Sequence, residues 1–300
     1  MAIKTVKATI DGQTYNLTRN SSTGKWEATV TAPGKTSYNL TGGYYNVSVT
    51  ATNDAGTTGS ADASTLNGLK LVVKETVAPI ITIVSPSSGA YVTNSKHPVV
   101  FTVVDEAGGS GVDIATLSVK LDNAEVAAAT ITKTAITNGY QVTYTPANAL
   151  SDGAHTVKVN CKDHDGNAAT EKSTTYTIDT VPPVLNVTSP TEGLITNSAS
   201  LTVAGSTNDT TSSPVTITIK LNGTDQGSVP VATGGTFSKQ ITLANGSNTI
   251  VVTATDAAGK TSSVTRKVTL DTSAPKITAA VITPNPADTG ATMVISVTIE

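Results

Sequence analysis

Apolar residues in this chain recur at every second position, in short runs separated by turn residues. In Val99–Val104 the alternation centres on Phe101 and Val103, and Leu117–Leu121 and Tyr140–Tyr144 repeat it. Period-two alternation predicts half-buried β-strands. Ile80–Val84 is a short apolar strand ended by Ser85-Pro86-Ser87-Ser88-Gly89, and Ser173–Ile178 is a closing strand. The same plan returns further on, with Val184–Val187, then Leu201 and Val203, then Ile217–Leu221. Two-residue hairpins are predicted at Asp11-Gly12, Asp122-Asn123 and Asn222-Gly223, because such pairs tolerate the left-handed backbone of a tight turn.

The pattern is a repeat. A motif of Leu, Gly, three alternating apolar positions, Asp or Asn, and Gly occurs three times. Its copies are Leu40, Gly43, Val47, Val49, Ala51, Asn53, Gly56; Leu150, Gly153, Val157, Val159, Cys161, Asp163, Gly166; and Leu243, Gly246, Ile250, Val252, Ala254, Asp256, Gly259. A joint of the form acid-Thr-x-x-Pro recurs at Glu75–Pro79, Asp179–Pro183 and Asp271–Pro275. Fixed-period repeats set the architecture before any other signal. About seven strands in about a hundred residues is the cadence of an immunoglobulin-like sandwich. The expected fold is all-β: tandem immunoglobulin-like β-sandwiches in a rod. The boundaries read as 1–76, a domain lacking its first two strands; 77–180 and 181–272, two full domains; and 273–300, a terminal strand pair.

The ends of the chain are out of phase with the repeat. Only Met1–Ile10 precedes the first hairpin, whereas Pro79–Leu121 and Pro183–Leu221 precede the other two. The last stretch supplies a first strand, Ile277–Val281, and a second that alternates at Ile295, Val297 and Ile299. Open strand edges recruit further strands. Three readings follow. The terminal pair completes the first domain of another copy through Ile295, Val297 and Ile299; each end docks on a different assembly protein; or the first domain closes on itself with Thr57–Lys74.

Composition fits this picture. Charged residues are 14% and aromatics 4% of the 300 residues, while β-branched Thr and Val suit a pleated surface. Net charge is -3, and no basic stripe is present, which argues against nucleic acid as a partner. No apolar run approaches the ~20 residues needed to span a bilayer. The start of the chain has no apolar signal region, so entry into the general secretory route is not expected. Cys161 aligns with Ala51 and Ala254 and is expected as a small buried strand residue.

Candidate chemistry is sparse. No catalytic residues are expected: His97, His155 and His164 lie in unrelated contexts and no nucleophile, zinc or phosphate motif occurs. No cofactor is expected apart from calcium, for which Asp163, Asp165, Asp105 and Asp113 are the candidate ligands. Against calcium stands the turn reading of Asp163–Gly166, which explains all three copies of the motif through backbone hydrogen bonds and a positive-φ glycine. Trp26, Tyr38, Tyr44 and Tyr45 cluster in the first repeat as the candidate partner or sugar contact, with core packing as the competing reading.

The Pro-anchored strand, the Asp-Gly or Asn-Gly hairpin and the Asp-x-x-Gly turn together resemble bacterial Ig-like repeats, found in surface adhesins and in structural proteins of phage tails. Residues Met1–Gly12 and Ile282–Val297 look like Ig-like virion proteins of phages of Firmicutes. The resemblance implies a non-enzymatic role in assembly or host attachment on a tail, fibre or baseplate. It implies other virion proteins, further copies of the chain, or a host cell-surface glycan as partners, without membrane insertion, and a virion location. A bacterial surface adhesin or stalk is the second reading, and a carbohydrate-binding accessory module the third.

Overall fold

A computed structural model describes residues 2–300. The chain forms two compact units, Met1–Asp179 and Thr180–Glu300.

The first unit opens with one five-stranded sheet, in the order Trp26–Glu27, Gln13–Arg19, Ile3–Ile10, Ser48–Asn53, Thr58–Ala61. Its leading hairpin turns at Asp11 (φ 48°) and Gly12 (φ 76°), and Ile10 faces Gln13. A small second sheet pairs Tyr45–Asn46 with Lys70–Leu71. Across residues 2–76 the buried apolar residues are Val6, Ile10, Tyr45 and Ala63.

The rest of this unit is a complete sandwich. One sheet runs Ile131–Ile136, Gly139–Tyr144, Val99–Val104, Ile80–Ser85; the other runs Ala124–Glu125, Val112–Leu121, Gly153–Asp163, Lys172–Ile178, Tyr91–Val92. All pairings are antiparallel except Tyr91–Val92, which lies parallel to Lys172–Ile178. The alternation read from the sequence becomes the core: Val99, Phe101, Val103 and Val142 from one sheet meet Val119, Val157, Val159, Tyr176 and Ile178 from the other. Each of these side chains is fully buried, a gain of about 1.5–3 kcal/mol apiece for the aliphatic ones. Cys161 belongs to the same core, where burial pushes its thiol pKa up.

The second unit repeats the plan. A three-stranded sheet, Val184–Ser189, Ser200–Asn208, Thr236–Thr242, faces a five-stranded one, Leu194–Thr196, Thr261–Leu270, Gly246–Thr255, Thr216–Leu221, Thr224–Asp225. Val203, Ile219, Ile250 and Val252 anchor its core. The strands Ile277–Thr283 and Val294–Ile299 follow as an antiparallel pair whose residues are all exposed, Ile295, Val297 and Ile299 included.

The three copies of the repeated motif build the same turn. Asn53, Asp163 and Asp256 are all buried. Each accepts, through Oδ1, the backbone N–H four residues on: Thr57 at 3.0 Å, Asn167 at 2.8 Å and Lys260 at 2.8 Å. Gly56, Gly166 and Gly259 follow with φ of 83°, 98° and 83°, a conformation open to glycine at no steric cost.

Two elements depart from the sequence pattern. Ile131–Ile136 is a sixth-position edge strand that the alternation does not reveal, because five of its six residues are exposed. Tyr91–Val92 is too short to carry a period of its own.

Candidate metal centre

The chemistry of the first unit gathers where residues 36–39 and 74–75 meet the loop that follows Val99–Val104. Asp105 follows that strand, and its backbone N–H donates to the carbonyl of Asn138 at 2.9 Å. The loop Glu106–Gly111 folds back so that Gly111 N–H donates to Asp105 Oδ2 at 2.7 Å. Gly108 and Gly111, each with φ 85°, make this reversal possible. Glu75 arrives from the other side. Its Oε1 accepts the backbone N–H of Ser110, and its own N–H donates to Asp165 Oδ2 at 3.0 Å. Asn39 Nδ2 donates to the carbonyl of Gly109 at 2.7 Å, and Thr36 Oγ1 to Asp165 Oδ2 at 2.5 Å. Tyr38 stacks on His164 with ring centroids 4.5 Å apart and planes 9° from parallel.

These contacts bring Glu75, Asp105 and Glu106 together, each with a carboxylate oxygen within 4.8 Å of the others. Two ionised carboxylates at that separation repel by roughly 3 kcal/mol at an effective dielectric of about 20. Among the described residues neither Lys nor Arg forms an ion pair with these three acids. Asp105 is only 4% exposed, and its Oδ1 has no hydrogen-bond partner; Glu75 Oε2 is likewise buried and unpartnered. The Glu75 carboxylate, followed by partial desolvation, pushes Glu106 up to about 7. Desolvation raises Glu75, but donation to it from a protonated Glu106 carboxyl and from the Ser110 N–H lowers it more, to below the ordinary carboxylate range. A proton on Glu106 or a cation in the cluster satisfies Glu75 Oε2; with neither, that atom is bare.

Gly109 shapes the centre of the cluster. A Cβ placed on it would come within 2.8 Å of Asp105 Oδ2, 2.8 Å of Glu75 Oε2 and 2.9 Å of Glu106 Cδ. The three acids therefore pack against Gly109 at a distance that only a residue without a side chain allows. Asp105 and Glu106 also border a cleft of about 210 Å³ lined by Val77, Ile80, Thr102 and Val104.

Of the four carboxylates singled out from the sequence, Asp105 enters this cluster. Asp163 has both oxygens engaged by Asn167, at 2.8 Å from its N–H and 2.7 Å from Nδ2. Asp165 joins the two sides of the contact through Thr36 and Glu75. Asp113 accepts the N–H of Ala115 at 3.2 Å in a local turn. Glu75 and Glu106 stood in the sequence as a joint acid and a loop acid; nothing local joins residues so far apart. The four aromatics occupy separate settings. Tyr45 is buried with its hydroxyl on the carbonyl of Lys35 at 3.2 Å, and Tyr44 lies under Lys70 Nζ at 5.1 Å. Tyr38 faces His164, and Trp26 pairs with Arg19 at a sheet edge.

Residues 85–180 match the family described as Bacterial Ig-like domain. Residues 183–272 match the family described as Glucodextranase, domain B. No curated protein sequence matches the chain. Similar solved structures include domains A168–A170 of titin, 14% identical over 88% of this chain and 85% of that one, with a TM-score of 0.42. The I67–I69 fragment of the titin I-band is 13% identical over 90% of this chain and 88% of that one, with a TM-score of 0.41. The fibronectin(III)-like modules of Clostridium thermocellum CbhA are 16% identical over 64% of this chain and 94% of theirs, with a TM-score of 0.40. Likeness at this level carries no argument about activity. The two sandwiches and the matched bacterial domain define the class: an Ig-like repeat protein. Among the described residues no helix is long and apolar enough to cross a membrane.

Proposed function

We propose that the chain is a non-enzymatic structural or adhesive protein of a phage tail, fibre or baseplate, which presents Ig-like domains for assembly or host attachment. The observation that carries this reading is the succession of Ig-like sandwiches whose polar groups serve turns and joints: Asn53, Asp163 and Asp256 each hold the backbone of their own turn. The match of residues 85–180 to a bacterial Ig-like domain supports it. Its partners are other proteins of the particle or further copies of the chain. The exposed strand pair Ile277–Thr283 and Val294–Ile299 offers unpaired edges to them. The test is immunogold labelling with antibody raised against the purified chain. Label on gradient-purified tails supports the proposal. Label confined to the bacterial cell surface overturns it in favour of an adhesin or stalk.

A carbohydrate-binding accessory role is the other reading, favoured by the match of residues 183–272 to domain B of glucodextranase. Retention of the chain on an insoluble α-glucan column, released by soluble glucan, supports it; free passage refutes it.

A further inference from the structure

We propose that Glu75, Asp105 and Glu106 bind one calcium ion, which ties the segment carrying Glu75 to the loop that follows Val99–Val104. Three carboxylates converge within 4.8 Å. A cluster of acids alone is unremarkable on a protein surface, but this one is partly interior. Asp105 is only 4% exposed, and its Oδ1 has no hydrogen-bond donor. Glu75 Oε2 is buried beside it in the same condition. A buried anionic oxygen without a donor is costly to leave bare. Both residues use their other oxygen to fix the loop, on Gly111 N–H and Ser110 N–H. The free oxygens are thereby held in place before any ion arrives.

The donor set selects the ion. All of the converging groups are carboxylates, with neither His nor Cys among them. Hard oxygen donors suit calcium, magnesium or manganese in preference to zinc or copper. Calcium accepts six to eight oxygens in flexible geometry, with water filling the positions the protein leaves open. Magnesium demands a near-ideal octahedron and gives up its water reluctantly. Acids from two separate chain segments meeting around a glycine supply the first kind of shell more readily than the second. Two positive charges also offset two of the three negative ones. An added methyl on Gly109 would collide with all three acids, so the acids close directly on the Gly109 backbone and any side chain there would push them apart.

The test is calorimetric titration of calcium into the full chain, with Glu106→Gln and Gly109→Ala as variants. Glu106→Gln changes an exposed side chain and removes one ligand. Gly109→Ala keeps all three carboxylates and displaces them, because its methyl would lie within 2.9 Å of each residue. The expected result is saturable binding at or below about 1 mM, the weak end for calcium modules outside cells, with at least a tenfold loss in each variant. Calcium should also slow proteolysis between residues 70 and 78 in the wild type and not in the variants. Absence of saturable binding overturns the proposal, as does binding that both variants leave unchanged. Equal competition by magnesium at the same concentration overturns the assignment to calcium. If Gly109→Ala does not fold by circular dichroism, Glu106→Gln decides alone.

Discussion

His155 Nδ1 lies 2.8 Å from Asp122 Oδ2, and its Nε2 lies 2.9 Å from the carbonyl oxygen of Ser151. Both ring nitrogens thus face acceptors, and only the doubly protonated imidazolium donates to both. In the second unit Asn248 takes the place of His155 and Asn222 that of Asp122. Asn222 Nδ2 donates to Asn248 Oδ1 at 3.1 Å, and Asn248 Nδ2 donates to the carbonyls of Ala244 and Gly246. Asp122 and Asn222 also accept the N–H of Thr156 and Thr249, each at 2.8 Å. One bracing geometry is built once with a charge and once without.

The charged version makes the first unit sensitive to pH. Burial acts to lower the His155 pKa, but the hydrogen bonds to Asp122 and Ser151 and the Asp122 charge outweigh it, so the folded value lies above the ordinary 6.5. A raised folded value means that the native state holds the proton more tightly than the unfolded chain. The stabilisation is complete below about pH 6.5 and falls away as pH rises through the folded pKa. Thermal melts of the full chain across pH 5–9 should show the transition of the first unit falling over that window. The double change Asp122→Asn with His155→Asn, which copies the second unit, should abolish that part of the slope.

Asp163→Ala removes both hydrogen bonds to Asn167 and leaves a buried turn without its acceptor. The expected cost is about 1–3 kcal/mol, read as a lower denaturation midpoint with an unchanged slope. Asp163→Asn keeps an acceptor at the position, as Asn53 does in the first copy, and should recover more than half of the loss.

Gly205→Ala should be among the most damaging single changes in the second unit. A Cβ there would sit 2.2 Å from the carbonyl oxygen of Asn186 and 2.7 Å from Phe237 Cζ. The first contact is with backbone that is paired in register, Gly205 opposite Phe237 on one side and Val187 on the other. Overpacking of this kind costs about 1–3 kcal/mol. A scan that resolves the two units should show the second transition lowered and the first unmoved.

Tyr38→Ala removes the stack on His164, worth about 0.5–1.5 kcal/mol beyond its buried area. Hydrogen exchange should rise at Asn39 and at the N–H groups of residues 109–111, while the sandwich core stays protected. Exchange unchanged there would show that Asn39 and Thr36 hold the contact without the ring.

The turns and cores of this protein were legible in its sequence because their causes are local. Asp122 (φ 49°) and Asn123 (φ 71°) make the hairpin that their residue types announce, and so do Asp11-Gly12 and Asn222-Gly223. The Asp or Asn that opens each of these turns bonds four residues away, so the motif contains its own explanation. Alternation likewise fixed which side chains enter the sandwich, as Phe101 and Val103 do at full burial. The edge strand Ile131–Ile136 leaves no such mark because an exposed strand needs no apolar period; the ladder to Gly139–Tyr144 defines it. The carboxylate cluster was decided by tertiary structure alone. Glu75, Asp105 and Glu106 meet because Ser110, Asp165 and Asn39 cross-link segments distant along the chain. Periodicity records which face of a strand is buried; it carries no record of which loops that burial brings together.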